Sequence, residues 1–262
     1  MDNLPVQGVE SHGLLEGGSM GRILALLYGV VCYFVFFGTF LYLIWFVWSM
    51  SPTRPEAPLD RALLIDGGLV LLFAVQHSVM ARRWFKNAWT KIVSPPVERS
   101  TYVLIASLVL LALMYFWQPV PSVIWEVSLP LGRWLLQGLF VVGWLVVLLS
   151  TFLIDHFELF GLKQVWTYWR QLPFRPPAFK TPLFYRFVRH PIYLGFLMAL
   201  WFTPVMTADH LFFALTITAY ILIAIQMEER DLIHFHGEDY KVYRSGVSML
   251  VPWPSKRKPP SE

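Results

Sequence analysis

Cysteine is almost absent from this chain: of 262 residues, Cys32 alone carries a thiol. A single cysteine excludes an internal disulfide and argues against a cysteine-rich metal site. Its place in an apolar run marks it as a buried, inert thiol. Charge is scarce as well. Lysine, arginine, aspartate and glutamate make up 15% of the chain, against roughly 25% in a soluble domain. Hydrophobic residues reach 56% and aromatics 17%. Because the deficit is concentrated in long apolar runs, the sequence reads as a membrane protein and not as a protein with a large dry core. The net charge of +4 is spread over connecting segments and gives no reason to expect a nucleic-acid partner. No glycine-rich dinucleotide or phosphate-binding loop is present, and no Gly-x-Ser-x-Gly nucleophile elbow. His234 and His236 are two apart, so on a helix they face different directions and no metal is expected.

Residues 1–20 are polar, with Asp2, Glu10 and Glu16. They lack the basic start and short apolar core of a signal peptide and are expected to be a disordered segment. Residues 21–251 then read as a single transmembrane domain, with the motif-bearing part at 181–246, and 252–262 as a disordered basic tail. Six apolar segments lie at about 23–50, 62–80, 102–117, 134–154, 191–206 and 211–227. The expected fold is therefore all-α and multi-pass, with about six transmembrane helices. A crossing takes about 20 helical residues, so the third, fifth and sixth segments need polar extensions to span. The last two are joined by Thr207-Ala208-Asp209-His210, which predicts a C-terminal helical hairpin. Of the 21 lysines and arginines, only Arg54, Arg61 and Arg133 fall outside if both termini are cytosolic, a strong positive-inside signal. Residues 82–100 and 155–189 mix tryptophans with basic residues, as interfacial segments do.

The polar residues that could carry chemistry fall into two clusters. The first is Arg189-His190-Pro191-Ile192-Tyr193-Leu194-Gly195. Pro191 suits the first turn of a helix, which puts Arg189 and His190 at a helix lip beside free N–H groups able to hold a carboxylate. Gly195 permits close approach of a backbone or a flat ligand. The plainer alternative makes Arg189 an anchor, His190 a polar lip residue and Tyr193 an interfacial aromatic. The second cluster weakens that alternative. Glu228, Glu229 and Asp231 continue the sixth apolar segment, where the helix dipole opposes them. Either the face of Glu229, His236 and Tyr240 or that of Glu228, Asp231 and Phe235 can meet Arg189 across the hairpin. A structural ion pair and a cytosolic polar pocket are both compatible with this pattern. His77 adds a polar group inside an apolar segment, a functional candidate by default, and Gln164 lies in a segment able to fold over the pocket. His210 reads as a turn residue and His156 stays ambiguous beside Asp155.

Arg189-His190-Pro191-x-Tyr193-x-Gly195, then Glu228-Glu229-x-x-Leu232 and Phe235-x-Gly237-x-x-Tyr240-x-x-Tyr243, resemble the signature of the isoprenylcysteine carboxyl methyltransferase and phospholipid methyltransferase superfamily. One departure is Phe202 beside Trp201, where such enzymes often have a second glycine; a bulky pair there argues against a wide groove for a prenyl tail. Gln76-His77-Ser78-Val79-Met80-Ala81-Arg82, Val97-Glu98-Arg99-Ser100-Thr101-Tyr102 and Phe160-Gly161-Leu162-Lys163-Gln164-Val165-Trp166 resemble the family of bacterial methanethiol S-methyltransferases, related to nurim. The resemblance implies an integral enzyme of the bacterial inner membrane that uses S-adenosyl-L-methionine to methylate a small volatile thiol. Methanethiol would give dimethyl sulfide, with hydrogen sulfide a further acceptor. It also implies a cofactor site of Arg189, His190, Tyr193, Gly195, Glu228, Glu229 and Tyr240. His190 and Glu229 would stand near the reacting centre, and His77 and Gln164 on the acceptor side. A lipid or prenylcysteine acceptor, or a nurim-like protein without catalysis, are the competing readings. The oligomeric state is not encoded legibly.

Overall fold

A computed structural model describes residues 18–174 and 179–252. The expectations placed on residues 1–17, 175–178 and 253–262 lie outside the described residues. The chain forms α1 (Ser19–Trp48), α2 (Leu59–Met80), the short α3 (Arg83–Trp89), α4 (Pro95–Phe116), strand β1 (Val123–Glu126) and α5 (Pro130–Ile154). Then follow α6 (His156–Leu159), α7 (Leu162–Trp169), a 3-10 turn (Leu183–Arg186), α8 (Pro191–Trp201), strand β2 (Val205–Thr207) and α9 (Ala208–Gly246). Helices α4, α5 and α8 open on proline, whose fixed φ suits the first turn and whose missing N–H leaves no donor unsatisfied.

Five of the helices, α1, α2, α4, α5 and α9, are long and apolar enough to cross a membrane, and the protein is a multi-pass integral membrane protein. Their outward faces carry exposed Leu24, Phe34, Leu64, Leu71, Leu145 and Ile223, a surface suited to lipid and not to water. The segment expected at 191–206 departs from a full crossing. Its helix stops at Trp201 after 11 residues, about 16 Å at 1.5 Å per residue. Pro204 disfavours helical geometry in the residue before it, and the chain goes on to pair β2 antiparallel with β1, Trp125 opposite Met206. The connection between the last two helices is thus residues 202–207. Asp209 and His210, expected in a turn, lie buried in the first turn of α9. Asp209 pairs with Arg54 at 3.3 Å, and His210 Nε2 lies 3.0 Å from the carbonyl of Leu200.

This ribbon and the Arg54–Asp209 pair mark one end of the bundle. The opposite end gathers α3, α6, α7 and the far half of α9, tied together by Arg82–Asp231, Arg99 to the carbonyl of Leu159 and Arg189–Glu229. Between the ends runs a core of Phe46, Val47, Leu113, Trp144, Ala199 and Phe213. Short α8 lies tightly on α5. A Cβ on Gly195 would sit 2.6 Å from the carbonyl oxygen of Gly143, and one on Gly143 2.7 Å from the amide nitrogen of Ala199. Only glycine lets the two backbones approach this closely, the usual device of helix pairs in membranes.

Candidate active site

Arg189 and His190 precede α8 and are fixed from two directions. Behind them, residues after α9 run alongside: Arg189 N–H donates to the carbonyl of Ser248 at 2.8 Å and His190 N–H to that of Met249 at 3.2 Å. In front stands Glu229, buried at 3% exposure. One of its oxygens accepts from Arg189 Nε at 2.7 Å and lies 3.2 Å from His190 Nε2; the other is 3.0 Å from Arg244 Nε. Arg189 Nη1 also donates to the carbonyls of Arg244 and Val247. Glu229 lies beyond the apolar stretch 211–227 of α9. Burial works to raise its pKa, but the hydrogen bonds from Arg189 and His190, with both arginine charges, outweigh it and hold the carboxyl below its ordinary range.

The return of the chain that makes this possible depends on Gly237. Its φ of 55° and ψ of −125° interrupt α9, a conformation open essentially to glycine alone. Beyond it, Tyr240 is buried, with Phe179 and Tyr243 edge-on or tilted around it. Tyr243 donates to the carbonyl of Tyr185 at 2.6 Å. The far half of α9 is therefore strapped to residues 179–186, just before Arg189.

A cavity of about 550 Å³ opens beside this cluster, within the range of small-molecule sites. Its charged mouth holds Arg82, Arg99, Arg189, Glu228 and Asp231, and its depth is lined by Phe40, Leu43, Val47, Trp144, Leu200 and Phe213. On α1 the lining residues Phe36, Phe40, Leu43 and Val47 recur at helical spacing, one stripe about 16 Å long. Between mouth and depth lies a band of polar side chains. Tyr193 donates to Glu228 at 2.9 Å, Ser78 and Tyr220 hydroxyls are 3.2 Å apart, and Tyr102 contacts His77. His156 Nε2 is 2.8 Å from the hydroxyl of Tyr33 and its Nδ1 2.8 Å from that of Thr151. The Tyr185 hydroxyl, on a cavity-lining residue, is buried with no partner among the described residues.

Of the residues singled out in the sequence, Arg189, His190, Tyr193, Glu228 and His77 line this cavity. Glu229 is directly behind, holding Arg189 and His190. Gly195 faces α5 and not the cavity, and Tyr240 is packed among aromatics behind the ion-pair cluster. Gln164 lies elsewhere: its amide donates to the carbonyl of Glu158 at 3.1 Å, and it is absent from the lining. Helix α7 packs instead on α1, where Val165 fills the space beside Gly29. Trp201 and Phe202 do not line the cavity either; Trp201 Nε1 donates to Thr218 at 3.0 Å. Arg82, Arg99, Tyr102 and Tyr220 were not assigned to a site from sequence, whereas Asp231 belonged to the second polar cluster. The signal of the two arginines was weak, because basic residues at a helix end are ordinary anchors until a pocket is seen between them, and the two tyrosines stand in or beside apolar runs where aromatics are common.

The chain is 46% identical over 254 residues to the methanethiol S-methyltransferase of Crocosphaera subtropica, covering 95% of this chain and all of that one. It is 51% identical over 242 residues to the methanethiol S-methyltransferase of Mycobacterium tuberculosis, covering 90% and 99%. Nurim of Pan troglodytes is 35% identical over 192 residues, covering 68% and 72%. No protein-family model and no solved structure matches.

Proposed function

Since the chain belongs to the methanethiol S-methyltransferase family, we propose that it methylates methanethiol to dimethyl sulfide, with S-adenosyl-L-methionine as methyl donor. Hydrogen sulfide is a further acceptor. The observation that carries this reading is the cavity itself: a mouth lined by charges of both signs passes directly into an apolar depth. A charged donor and an uncharged, volatile acceptor would meet at that boundary.

The residues present fit the donor. It has a carboxylate, an ammonium, a cationic sulfur and a flat base, and the mouth offers cationic Arg82, Arg99 and Arg189, anionic Glu228 and Asp231, and the unpartnered Tyr185 hydroxyl. Bound there, S-adenosyl-L-methionine supplies an electrophilic methyl group on sulfur. Arg189 and His190 would orient it, and Tyr193 holds Glu228 in place to face its ammonium. Glu229 is a positioning residue. Ionised, and with both oxygens occupied by Arg189, His190 and Arg244, it fixes the cluster and is a poor proton acceptor. Gly195 and Tyr240 act one layer back, by seating α8 on α5 and by packing behind Glu229. The apolar walls exclude water from the attacking sulfur, and alignment of the two sulfurs with the methyl carbon supplies much of the remaining acceleration. The positive-inside pattern supports a cytosolic mouth, and the proposed membrane is the bacterial inner membrane.

Purified protein in detergent, given S-adenosyl-L-methionine and methanethiol, should release dimethyl sulfide into the headspace. Parallel reactions would hold sulfide, a prenylcysteine or phosphatidylethanolamine. Transfer only to a lipid or prenyl acceptor, or no dimethyl sulfide despite measured donor binding, would overturn the proposal.

A further inference from the structure

Three histidines line the cavity: His77, His156 and His190. Two of them face polar side chains at both ring nitrogens. His156 is fixed between Tyr33 and Thr151. His190 has Nε2 3.2 Å from Glu229 and Nδ1 3.8 Å from Glu228, so both of its ring nitrogens face carboxylates. His77 differs. Among the described residues a single hydroxyl, that of Tyr102, meets its ring nitrogens, 3.0 Å from Nε2 and 3.2 Å from Nδ1. One hydroxyl can bond only one of them at a time, which leaves the other ring nitrogen for a ligand.

The ring is also held rigidly for such a role. It stacks on Phe73 at 5.3 Å and 27° and is tilted against Tyr102, whose hydroxyl also reaches the His77 backbone carbonyl at 3.3 Å. It stands in the polar band between the charged mouth and the apolar depth. The titratable groups around that band are Arg82 between α2 and α3, Arg99 and Tyr102 on α4, His156 on α6, Tyr193 on α8, and Tyr220 and Glu228 on α9. Arg99 lies over the Tyr102 ring, 5.1 Å from its centroid. Among the described residues no carboxylate is in hydrogen-bonding contact with His77, and the nearby guanidinium favours an anion beside it.

We propose that His77 is the base that takes the proton of the acceptor thiol, with Tyr102 positioning its ring. The inference rests on the methyl transfer proposed above. The S–H bond breaks, its proton goes to the unpaired nitrogen of His77, and its electron pair stays on sulfur as thiolate. That sulfur then forms the new S–C bond, while the bond from the methyl carbon to the donor sulfur breaks and its electrons neutralise that sulfur. The proton on His77 leaves to water through the mouth.

Removing a general base costs on the order of 10²–10⁴ in rate, and the cost shrinks when the thiol ionises by itself. His77→Gln should therefore lose about 10²-fold or more in kcat/KM with methanethiol. With the more acidic 2,2,2-trifluoroethanethiol it should lose much less. Tyr102→Phe should show a smaller loss of the same pattern. An equal loss with both thiols would mean that His77 only shapes the pocket, and the proposal falls. A second readout needs no turnover and no folded variant. In donor-free wild-type protein labelled with 13C at histidine Cε1, benzenethiol should protonate one histidine, seen by NMR; no protonated signal would equally sink the idea. Failure of the wild type to make dimethyl sulfide would instead overturn the parent reading of function.

Discussion

Glu229 concentrates the energetics of the site in two oxygens. It is almost fully buried, Arg189 is 11% exposed in its side chain and Arg244 45%, so the Arg189 bond is the costly one to break. Removing one member of a buried ion pair leaves the other charge unpaired, at about 3 kcal/mol. Glu229→Gln keeps the shape and loses the charge, so it should lower the unfolding temperature in detergent. An unchanged transition would show that the pair contributes little. The sign with pH follows from the depressed carboxyl pKa. The stabilisation is fully present above the ordinary glutamate value of about 4.3, and is lost as pH falls through the lower folded value. The wild type should therefore lose more stability on acidification than Glu229→Gln does. At this scale the sequence points to candidate residues more readily than to their roles. A glutamate after an apolar run announces that it has a reason to be there, but not whether it faces a ligand or an arginine. Burial and the occupation of both oxygens by Arg189, His190 and Arg244 support the proposed part of Glu229 as a positioning group.

Helix α8 is too short to span and is held by its fit to α5. Its motif glycine was legible in the sequence as a place of close approach, and the partner that approaches turns out to be Gly143 across the helix pair. Gly195→Val would drive a side chain into the Gly143 carbonyl and into Val147, already 2.8 Å from an added Cβ. Overpacking of this kind costs about 1–3 kcal/mol or more, and it would push α8 away from α5 and shift His190 from its seat on Glu229. The expected outcome is a lower unfolding temperature together with weaker binding of S-adenosyl-L-methionine in calorimetry. Full retention of both would show that the α5–α8 seam tolerates a gap. The helix end at Trp201 was not legible in the apolar pattern, which continues through residue 206. Pro204 hinted at a break, but the pairing of β2 with β1 is a non-local choice that no window of hydropathy contains. The kink at Gly237 belongs to the same class: the glycine is visible in the sequence, the reversal that brings Ser248 back to Arg189 is not.

Across the whole molecule, the ribbon end and the arginine-rich end define two opposite faces of the bundle, and their sides of the membrane can be tested directly. In a Cys32→Ala background, Glu126→Cys should react with a membrane-impermeant maleimide in intact spheroplasts. Asp239→Cys should react only after lysis. The reverse pattern would invert the proposed topology. Native Cys32 is itself fully buried and should label poorly in either case. The membrane class, the number of apolar segments and the likeness of the two polar clusters to a methyltransferase signature were all set by the sequence. Composition and local spacing are enough for these, since apolar length and basic-residue placement act residue by residue on the energy of insertion. The tertiary structure alone decided which polar groups share a cavity. It brought His77 and Tyr102 from α2 and α4 to the same band as Tyr193 and Glu228, and it left Gln164 outside. Those placements depend on how helices far apart in the chain pack against one another, and packing is a property of pairs of surfaces that no single segment carries.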